Sequence, residues 1–258
     1  MSILVSGGAG FVGLNVVEAL LARGETVVLL DRGTLPPGAQ RICVRHANHL
    51  VIATGDVLDA EALATVVEQH RVERIVHCAA VTSGPQREAQ DPAGIVDVNL
   101  KGTINVLAAA HRCRVKRVVY VSSGAVYGES LYKLPRVDEE SPALPLTIYA
   151  ATKFAAERTC LRLAELWQLD VVCARLGTVI GPWERDTGAR DNYGTHTQLA
   201  ALAAAGQTAI LTPREVRRDW VYSRDVAAGL IALLAAAQPR HMVYNLSSGM
   251  AWEQAVLE

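Results

Sequence analysis

The sequence has no excess of charge of either sign and no long run of apolar residues. Its 258 residues include 25 basic and 26 acidic side chains, and a net charge of −1 favours neither nucleic acid nor an anionic membrane as a partner. No apolar run is long enough to span a bilayer. The N-terminal stretch "MSILVSGG" leads directly into a strand-and-turn pattern, so we expect no signal peptide.

Cysteine pairs of the C-x-x-C type and histidine–cysteine clusters are also lacking. The five cysteines are odd in number, and with the seven histidines they show no zinc-ligand spacing, so no metal site is expected. Several lie in apolar runs, as in "RIVHCAA". We therefore expect free thiols and a cytoplasmic protein. The cysteines are Cys43, Cys78, Cys113, Cys160 and Cys173.

Short β-branched runs alternate with helical patterns through most of the chain. The runs predicted as strands are "SILVS", "TVVLLD", "RIVHCAA", "KRVVYVSS" and "LDVVCARL". A long helix is predicted over 91–113, opened by Asp91 and Pro92. Apolar strands alternating with helices predict the α/β class, a doubly wound parallel sheet of the Rossmann type with helices on both faces.

The chain is predicted to divide into a Rossmann domain, 1–176, and a smaller substrate lobe, 177–258, interleaved with the last sheet elements. After Gly177 the sequence is polar and rich in turn residues. A helix ("QLAALAAAG"), a strand ("AILT", 209–212), a helix from about Arg224 and a strand ("HMVYNLSS") follow. The segments 84–90 and 129–146 are predicted as long loops that line a site.

A glycine-rich turn, "SGGAGFVG", lies between the first strand and the first helix. In that context Gly8-x-Gly10-x-x-Gly13 predicts a dinucleotide site, because glycines let the backbone and the helix N-terminus approach a pyrophosphate. A glycine turn without a ligand is the alternative. Asp31 ends the second strand, where an acid binds the adenosine ribose and favours NAD, whereas the adjacent Arg32 leaves NADP open.

Tyr149 and Lys153 lie four residues apart on one face of a predicted helix, and Ser122 and Ser123 end a strand at the sheet's carboxyl edge. The tyrosine–lysine spacing alone is weak evidence, since such pairs occur by chance on exposed helices. A phenol has a pKa of about 10, too high for an efficient base at neutral pH. A lysine cation one turn away would favour the phenolate.

Taken in order, the motifs resemble those of the extended short-chain dehydrogenase/reductases, the NAD-dependent epimerase/dehydratase group. The resemblance covers nearly the whole chain. The motifs are the glycine turn, "GDV" at 55–57, "HCAA" at 77–80, "DVN" at 97–99, "SSGAVYG" at 122–128, Tyr149-x-x-x-Lys153 and "RRDWVYSRDVA" at 217–227.

The resemblance implies a role for each matching residue. It implies catalysis by Tyr149, Lys153 and Ser123, and substrate binding by Thr82, Ser123, Thr178 and Arg218. His77 is expected to be a packed strand residue and Tyr127 a wall of the site. The implied cofactor-binding residues are Gly7, Gly10, Phe11, Val12, Gly13, Asp31, Arg32, Asp56, Val57, Ala79, Ala80, Val81, Asn99, Ser122, Tyr149 and Lys153.

The resemblance further implies an NAD-dependent sugar epimerase. Dehydratases of the family usually carry acids just after the catalytic serine or threonine, whereas Gly124 and Ala125 follow Ser123 here, so the pattern disfavours dehydration. Three hypotheses stay open. They are an epimerase acting on a nucleotide sugar, an NAD(P)-dependent dehydrogenase or reductase of a small hydroxy or keto compound, and a dinucleotide-sensing protein without turnover.

Two departures from the family pattern bear on the substrate. Thr178 stands where sugar-nucleotide members usually have an asparagine, and the chain ends with "NLSSGMAWEQAVLE", short of the usual end of the substrate lobe, so we expect either a truncated chain or a smaller substrate. A free sugar or sugar acid is therefore an alternative to a nucleotide sugar. The resemblance also implies a homodimer that packs through the helices at about 92–112 and 149–168.

Overall fold

The computed structural model of the protein describes residues 1–191, 193–210, 217–249 and 252–253. Within these ranges the strands are β1 (Ser2–Ser6), β2 (Thr26–Asp31), β3 (Leu50–Thr54), β4 (Arg74–His77), β5 (Arg117–Ser123), β6 (Val171–Leu176), β7 (Thr178–Ile180), β8 (Arg217–Arg218), β9 (Trp220–Tyr222), β10 (Val243–Leu246) and β11 (Trp252–Glu253).

The helices alternate with these strands along most of the chain. They are α1 (Phe11–Ala22), α2 (Pro37–Arg45), α3 (Ala60–Gln69), α4 (Pro85–Gln90), α5 (Pro92–Val96), α6 (Gly102–Arg112), α7 (Ser130–Lys133), α8 (Ile148–Trp167), α9 (Thr195–Ala204) and α10 (Ser223–Ala235). A π-helical turn, Asp97–Lys101, joins α5 to α6, and a 3₁₀ turn, Gly124–Tyr127, follows β5.

Seven strands form one parallel sheet in the order β10-β6-β5-β4-β1-β2-β3. The order reverses direction between β1 and β4, which in a doubly wound sheet marks the place where ligands bind. The predicted fold class, a doubly wound parallel α/β sheet, is confirmed.

Both faces of the sheet are covered, because its central strands are apolar on both sides. One core cluster packs α1 and α10 against the sheet through residues such as Leu14, Leu20 and Leu230. The other packs α3, α6 and α8 on the opposite face, with Leu63, Leu107 and Cys160 among its members. The burial of these apolar faces supplies the main favourable term in folding.

The segment after Gly177 contributes to the main sheet as well as to a small ladder of its own. Strand β10 adds to the sheet's edge beside β6, while β7 pairs in parallel with β9. Part of this segment thus belongs to the parallel sheet. The division into domains at 176/177 stays a prediction.

Several local predictions need correction. The segment predicted as a loop from Gly84 to Gln90 is mostly helix α4, opened by Pro85. The predicted loop at 129–146 contains the short helix α7. Elements α2 and β3 are not among the predicted elements; Ile52 of β3 is half exposed, as expected for an edge strand with a weak apolar pattern.

The long helix predicted over 91–113 begins as expected, because the Asp91 carboxylate caps it by accepting a hydrogen bond from the Gly94 amide at 2.9 Å. It is interrupted by the π-helical turn at 97–101. The strand predicted at 209–212 is absent at its described residues, Ala209 and Ile210, and its remainder lies outside the described residues. Among the described helices, none is long and apolar enough to cross a membrane.

Candidate active site

A cleft of about 1010 Å³ opens along the carboxyl ends of the parallel strands. Its lining includes nearly all the residues that the sequence analysis assigned to a site. These are Gly7, Gly10, Phe11, Val12, Gly13, Asp31, Arg32, Asp56, Val57, Ala79, Ala80, Val81, Thr82, Ser122, Ser123, Tyr149, Lys153 and Thr178. The fold therefore brings together residues that are far apart in the sequence.

The glycine turn forms the floor of the cleft between β1 and α1, and its glycines are required by close backbone contacts. Gly7 has φ +67°, and a Cβ atom there would lie 2.6 Å from the Ala79 backbone. A Cβ on Gly13 would lie 2.1 Å from the Gly7 carbonyl oxygen. Gly10 precedes α1 without a side-chain cap. The first backbone N–H groups of α1 are thus available to an anion in the cleft.

Asp31 lies beside this turn at the end of β2. One carboxylate oxygen accepts a hydrogen bond from the Ala9 amide at 2.9 Å, and the other accepts one from the Gly33 amide at 2.8 Å. Arg32 forms a salt bridge with Asp56 at 3.2 Å, on the rim of the cleft. The Asp31 carboxylate is therefore held in place at the cleft, while the Arg32 guanidinium is already paired with the Asp56 carboxylate.

Tyr149 and Lys153 lie one turn apart at the start of α8. The helix begins at Ile148 because the Thr147 hydroxyl caps it, accepting a hydrogen bond from the Ala150 amide at 3.1 Å. Lys153 is almost fully buried, and its Nζ lies 4.4 Å from the centroid of the Tyr120 ring. A cation over an aromatic face is stabilised by the ring quadrupole.

The ionisation of both groups is shifted by their burial. Burial raises the pKa of the Tyr149 phenol, and hydrogen bonding from Ser123, the charge of Arg190 and hydrogen bonding from Thr82 oppose that rise. Burial lowers the pKa of the Lys153 ammonium from 10.5 to about 8. Shifted pKa values in a cleft are typical of functional groups. The influence of Arg190 on Tyr149 has no signal in the sequence.

Ser123 and Ser122 end β5 on different sides of the strand. Ser123 lies near enough to Tyr149 to oppose the rise in the pKa of the phenol, and it accepts a hydrogen bond from the Ala125 amide at 3.1 Å. The Ser122 hydroxyl instead donates to the Glu157 carboxylate at 2.9 Å, in the interior. Its side chain is committed to that contact, so only the backbone of Ser122 is left to face the cleft.

Asn99 lies behind the cleft wall and not on its surface. The π-helical turn carries it inward, where its amide accepts from the Val81 amide at 2.8 Å and donates to the Val81 carbonyl at 3.0 Å. The same Nδ2 group donates to the Thr152 hydroxyl at 3.0 Å. Asn99 thus holds the wall against α8 from behind, and its assignment as a cofactor-binding residue stays a prediction.

His77 and Tyr127 both pack inside the protein. The His77 ring nitrogens lie 2.6 Å from the Ser6 hydroxyl and 3.0 Å from the Thr103 hydroxyl, and burial lowers its pKa to about 3, so the ring is neutral. His77 is thus a packed strand residue, as expected. Tyr127, predicted as a wall of the site, is instead buried, donates to Asn245 at 2.8 Å and accepts from Arg175 at 3.0 Å.

Residues 181–191, here called the cover segment, form a wall of the cleft that the sequence analysis did not resolve. Two backbone hydrogen bonds join the segment to Thr82. The Thr82 amide donates to the Ala189 carbonyl at 2.8 Å, and the Asp191 amide donates to the Thr82 carbonyl at 3.0 Å. Arg87 of α4 binds the Asp191 carboxylate at 2.6 Å. The sequence marked this region only as polar and rich in turn residues.

Two arginines of the cover segment line the cleft, Arg185 and Arg190. Neither is among the predicted site residues. Arg185 donates to the Ala9 carbonyl at 2.7 Å, across 176 positions of sequence, and no local pattern signals such a contact. Arg218, predicted to grip a diphosphate, has a side chain that lies outside the described residues.

Comparison with known proteins places this geometry in a family context. The model of the NAD-dependent epimerase/dehydratase family matches residues 3–247. UDP-glucuronate 4-epimerase 4 of Arabidopsis thaliana is 28% identical over 243 residues, which are 92% of this chain and 55% of that protein. UDP-glucose 4-epimerase of Lacticaseibacillus casei is 32% identical over 209 residues, which are 81% of this chain and 61% of that protein.

A solved structure is also similar over almost the whole chain. The Thermus thermophilus UDP-glucose 4-epimerase in complex with NAD aligns with a TM-score of 0.78 and 30% identity, covering 98% of this chain and 79% of that one. This chain spans 55% and 61% of the lengths of the two curated relatives above.

Proposed function

Because the chain belongs to the NAD-dependent epimerase/dehydratase family, we propose that it is an NAD-dependent epimerase that acts on a nucleotide sugar. The observation that carries the proposal is the placement of Tyr149, Lys153 and Ser123 in the same cleft as the glycine turn and Asp31. The similar epimerases of UDP-glucose and UDP-glucuronate support the substrate class.

The residues of the cleft fit NAD. Uncapped N–H groups at the start of α1 suit its pyrophosphate, and Gly7 and Gly13 allow a backbone approach that any Cβ would block. Asp31 would accept hydrogen bonds from the adenosine ribose. NAD is favoured over NADP because an acid at this position repels a further phosphate and because Arg32 is paired with Asp56.

Tyr149 is proposed as the base that removes the proton of the sugar hydroxyl. Ser123, in contact with Tyr149, would donate a hydrogen bond to the same substrate oxygen and align it. Lys153 would hold the nicotinamide ribose and add positive charge one helical turn from the phenol. NAD held by these residues would supply the hydride chemistry of the cycle, first as hydride acceptor and then as hydride donor.

The residues beside Ser123 favour epimerisation over dehydration. Gly124 and Ala125 form the start of the 3₁₀ turn after β5, and neither has a carboxylate to act on a neighbouring carbon. Tyr149 can therefore serve in both directions, taking a proton as the sugar is oxidised and returning it as the sugar is reduced. No further acid or base is needed for that cycle.

A second cavity of about 480 Å³ adjoins the cover segment. Thr197 and Gln198 of α9 line it, together with Tyr193 and Leu202, and offer polar groups beside an apolar surface. We assign this cavity to the nucleotide part of the substrate, since recognition of such a group needs both kinds of contact. Thr178 lines the main cleft instead.

The test is incubation of the purified protein and NAD with UDP-glucose or UDP-glucuronate, followed by nuclear magnetic resonance of the sugar. We expect the 4-epimer to form while the near-ultraviolet absorbance of reduced nicotinamide stays flat. Absorbance that rises in proportion to product would identify a dehydrogenase instead. If both sugars remain unchanged while NAD is bound, the assignment to these epimerases is wrong.

A homodimer and a cytoplasmic location are further parts of the proposal. Ile104 of α6 and Leu166 of α8 are exposed apolar residues on the helices predicted to pair, and burying them in a partner would be favourable. Cys78, Cys113, Cys160 and Cys173 are free thiols, which supports a reducing compartment. Light scattering of the wild-type protein and of Leu166→Glu tests the dimer: the variant should be a monomer.

A further inference from the structure

Arg185 reaches from the cover segment to the glycine turn and leaves one donor without a partner. Its Nη2 group donates to the Ala9 carbonyl at 2.7 Å. Its Nη1 atom is buried and has no hydrogen-bond partner among the described residues. The amide of the same Ala9 donates to Asp31 at 2.9 Å, so the guanidinium lies at the end of the cleft where Asp31 is held.

Arg190 also has a buried donor atom without a hydrogen-bond partner among the described residues. Its Nη2 group binds the Glu184 carboxylate at 2.5 Å, and its guanidinium lies 5.3 Å from the centroid of the Phe11 ring. Its Nε atom is buried and has no partner in the part of the chain that the structure describes. Arg190 also pairs with Thr82 in an isolated β-bridge, which puts it beside the part of the cleft wall that Thr82 forms.

Glu184 fixes Arg190 in this position. The carboxylate is almost fully buried and also accepts hydrogen bonds from the Gly194 amide at 3.0 Å and from the Thr197 hydroxyl. Burial raises the pKa of Glu184, but these hydrogen bonds and the charge of Arg190 outweigh it and lower the pKa overall. The side chain that orients Arg190 is therefore an ionised, rigidly held carboxylate.

Two buried guanidinium donors without partners among the described residues, both in the lining of one cleft, call for a ligand that accepts hydrogen bonds. A buried donor without a partner destabilises a protein, and more so when it is charged. The N-terminus of α1, which also attracts anions, lies beside the arginines, since Arg190 lies over the Phe11 ring at its first residue. Both walls of the cleft thus favour negative charge at the same place, and the planar fork of arginine matches a phosphate.

We propose that Arg185 and Arg190 form the second wall of a diphosphate site, Arg185 binding the phosphate on the adenosine side and Arg190 the phosphate on the nicotinamide side. The order follows from their neighbours. Arg185 lies by Ala9, whose amide binds Asp31, whereas Arg190 lies over the Phe11 ring and pairs with Thr82 in a β-bridge. The inference rests on the proposed NAD site and adds two ligands that the glycine turn alone does not supply.

The test measures binding of four probes by isothermal titration calorimetry: NAD, ADP, AMP and adenosine. Arg185→Met should lower the affinity for NAD, ADP and AMP by roughly tenfold or more, because a charged hydrogen bond contributes about that much to binding. The affinity for adenosine should stay unchanged. Arg190→Met should lower the affinity for NAD and ADP by a similar factor but leave the affinity for AMP unchanged. Arg185→Lys and Arg190→Lys should recover part of each loss, because they keep the charge.

Arg87→Met is the matched control, since it removes a contact that holds the cover segment but carries no donor to the glycine turn. If Arg87→Met lowers the affinity for NAD as much as Arg185→Met and Arg190→Met do, the two arginines act by holding the cover segment and the proposal is wrong. Wild-type affinity for NAD in both arginine variants would also overturn it. A wild-type protein that binds none of the probes would instead refute the NAD site itself, and this inference with it.

The lysine variants and the salt dependence of the wild type keep the proposal testable if a methionine variant fails to fold. Phosphate binding by two arginines predicts that the affinity for NAD falls as salt rises, while that for adenosine does not. Equal salt dependence for NAD and adenosine would contradict the proposal. Thermal unfolding of each variant, recorded beside the titrations, separates lost binding from lost structure.

Discussion

Glu157 and Arg175 form a two-point salt bridge in the interior, with distances of 2.7 Å from Nη2 to Oε1 and 3.0 Å from Nε to Oε2. The pair joins α8 to β6, and Glu157 lies one helical turn beyond Lys153. Glu157 also accepts the hydrogen bond from Ser122, next to Ser123. The pair therefore ties the helix that carries Tyr149 and Lys153 to the strand end that carries Ser123.

Replacing Glu157 with alanine should lower the free energy of unfolding by about 3 to 5 kcal/mol, because Arg175 is left charged and buried without its partner. Urea unfolding measures the loss. The control is Glu165→Ala on the same helix, which breaks an exposed pair with Arg162 and should cost less than about 1 kcal/mol. Similar losses of unfolding free energy in both variants would show that the interior pair contributes no more to stability than the exposed pair does.

The sheet and the grouping of most candidate site residues in one cleft could be predicted because their signals are local. The alternation of apolar strands and helices marks a parallel sheet, and the glycine turn, Asp31 and Tyr149–Lys153 each fall at the end of a predicted element. Once a strand is assigned, its carboxyl end is assigned too. The residues that end parallel strands must then meet at one edge.

The second wall of the cleft could not be predicted for the opposite reason. Arg185 reaches Ala9 from 176 positions away, and its segment has no regular periodicity that would fix its path. The π-helical turn that carries Asn99 inward likewise lies within a pattern typical of continuous helix. The prediction for Tyr127 is wrong because a sequence does not show which aromatic residue meets a buried arginine.

Tyr149→Phe should reduce epimerase turnover roughly 100- to 10,000-fold, the usual contribution of a positioned base, while leaving the affinity for NAD nearly unchanged. The phenyl ring keeps the packing and removes only the hydroxyl that contacts Ser123 and Thr82. Turnover and NAD titration measure the two effects. Tyr132→Phe, at an exposed position, is the control and should have full activity. A fully active Tyr149→Phe variant would refute the role of this residue as the base.

Gly13→Ala should weaken both the fold and the binding of NAD. The new Cβ would lie 2.1 Å from the Gly7 carbonyl, so the turn must shift, at a cost of about 1 to 3 kcal/mol. Chemical unfolding and calorimetry of NAD binding measure the two effects. Gly206→Ala is the control: its positive φ of +65° also costs stability, but no described atom lies near and NAD affinity should stay the same. Unaltered NAD binding in Gly13→Ala would count against a site at this turn.

Lys153 should make the stability of the protein rise with pH in the alkaline range. Burial lowers its pKa from 10.5 to about 8, so between these values the unfolded chain holds a proton that the folded protein has released. Stability rises with pH wherever the unfolded state binds more protons. Relative to Lys153→Met, the wild type should therefore gain about 3 kcal/mol of unfolding free energy as the pH rises through this window, and little below it. Denaturant unfolding of both proteins at a series of pH values measures the difference. A difference that does not change with pH would mean that Lys153 keeps an ordinary pKa in the folded protein.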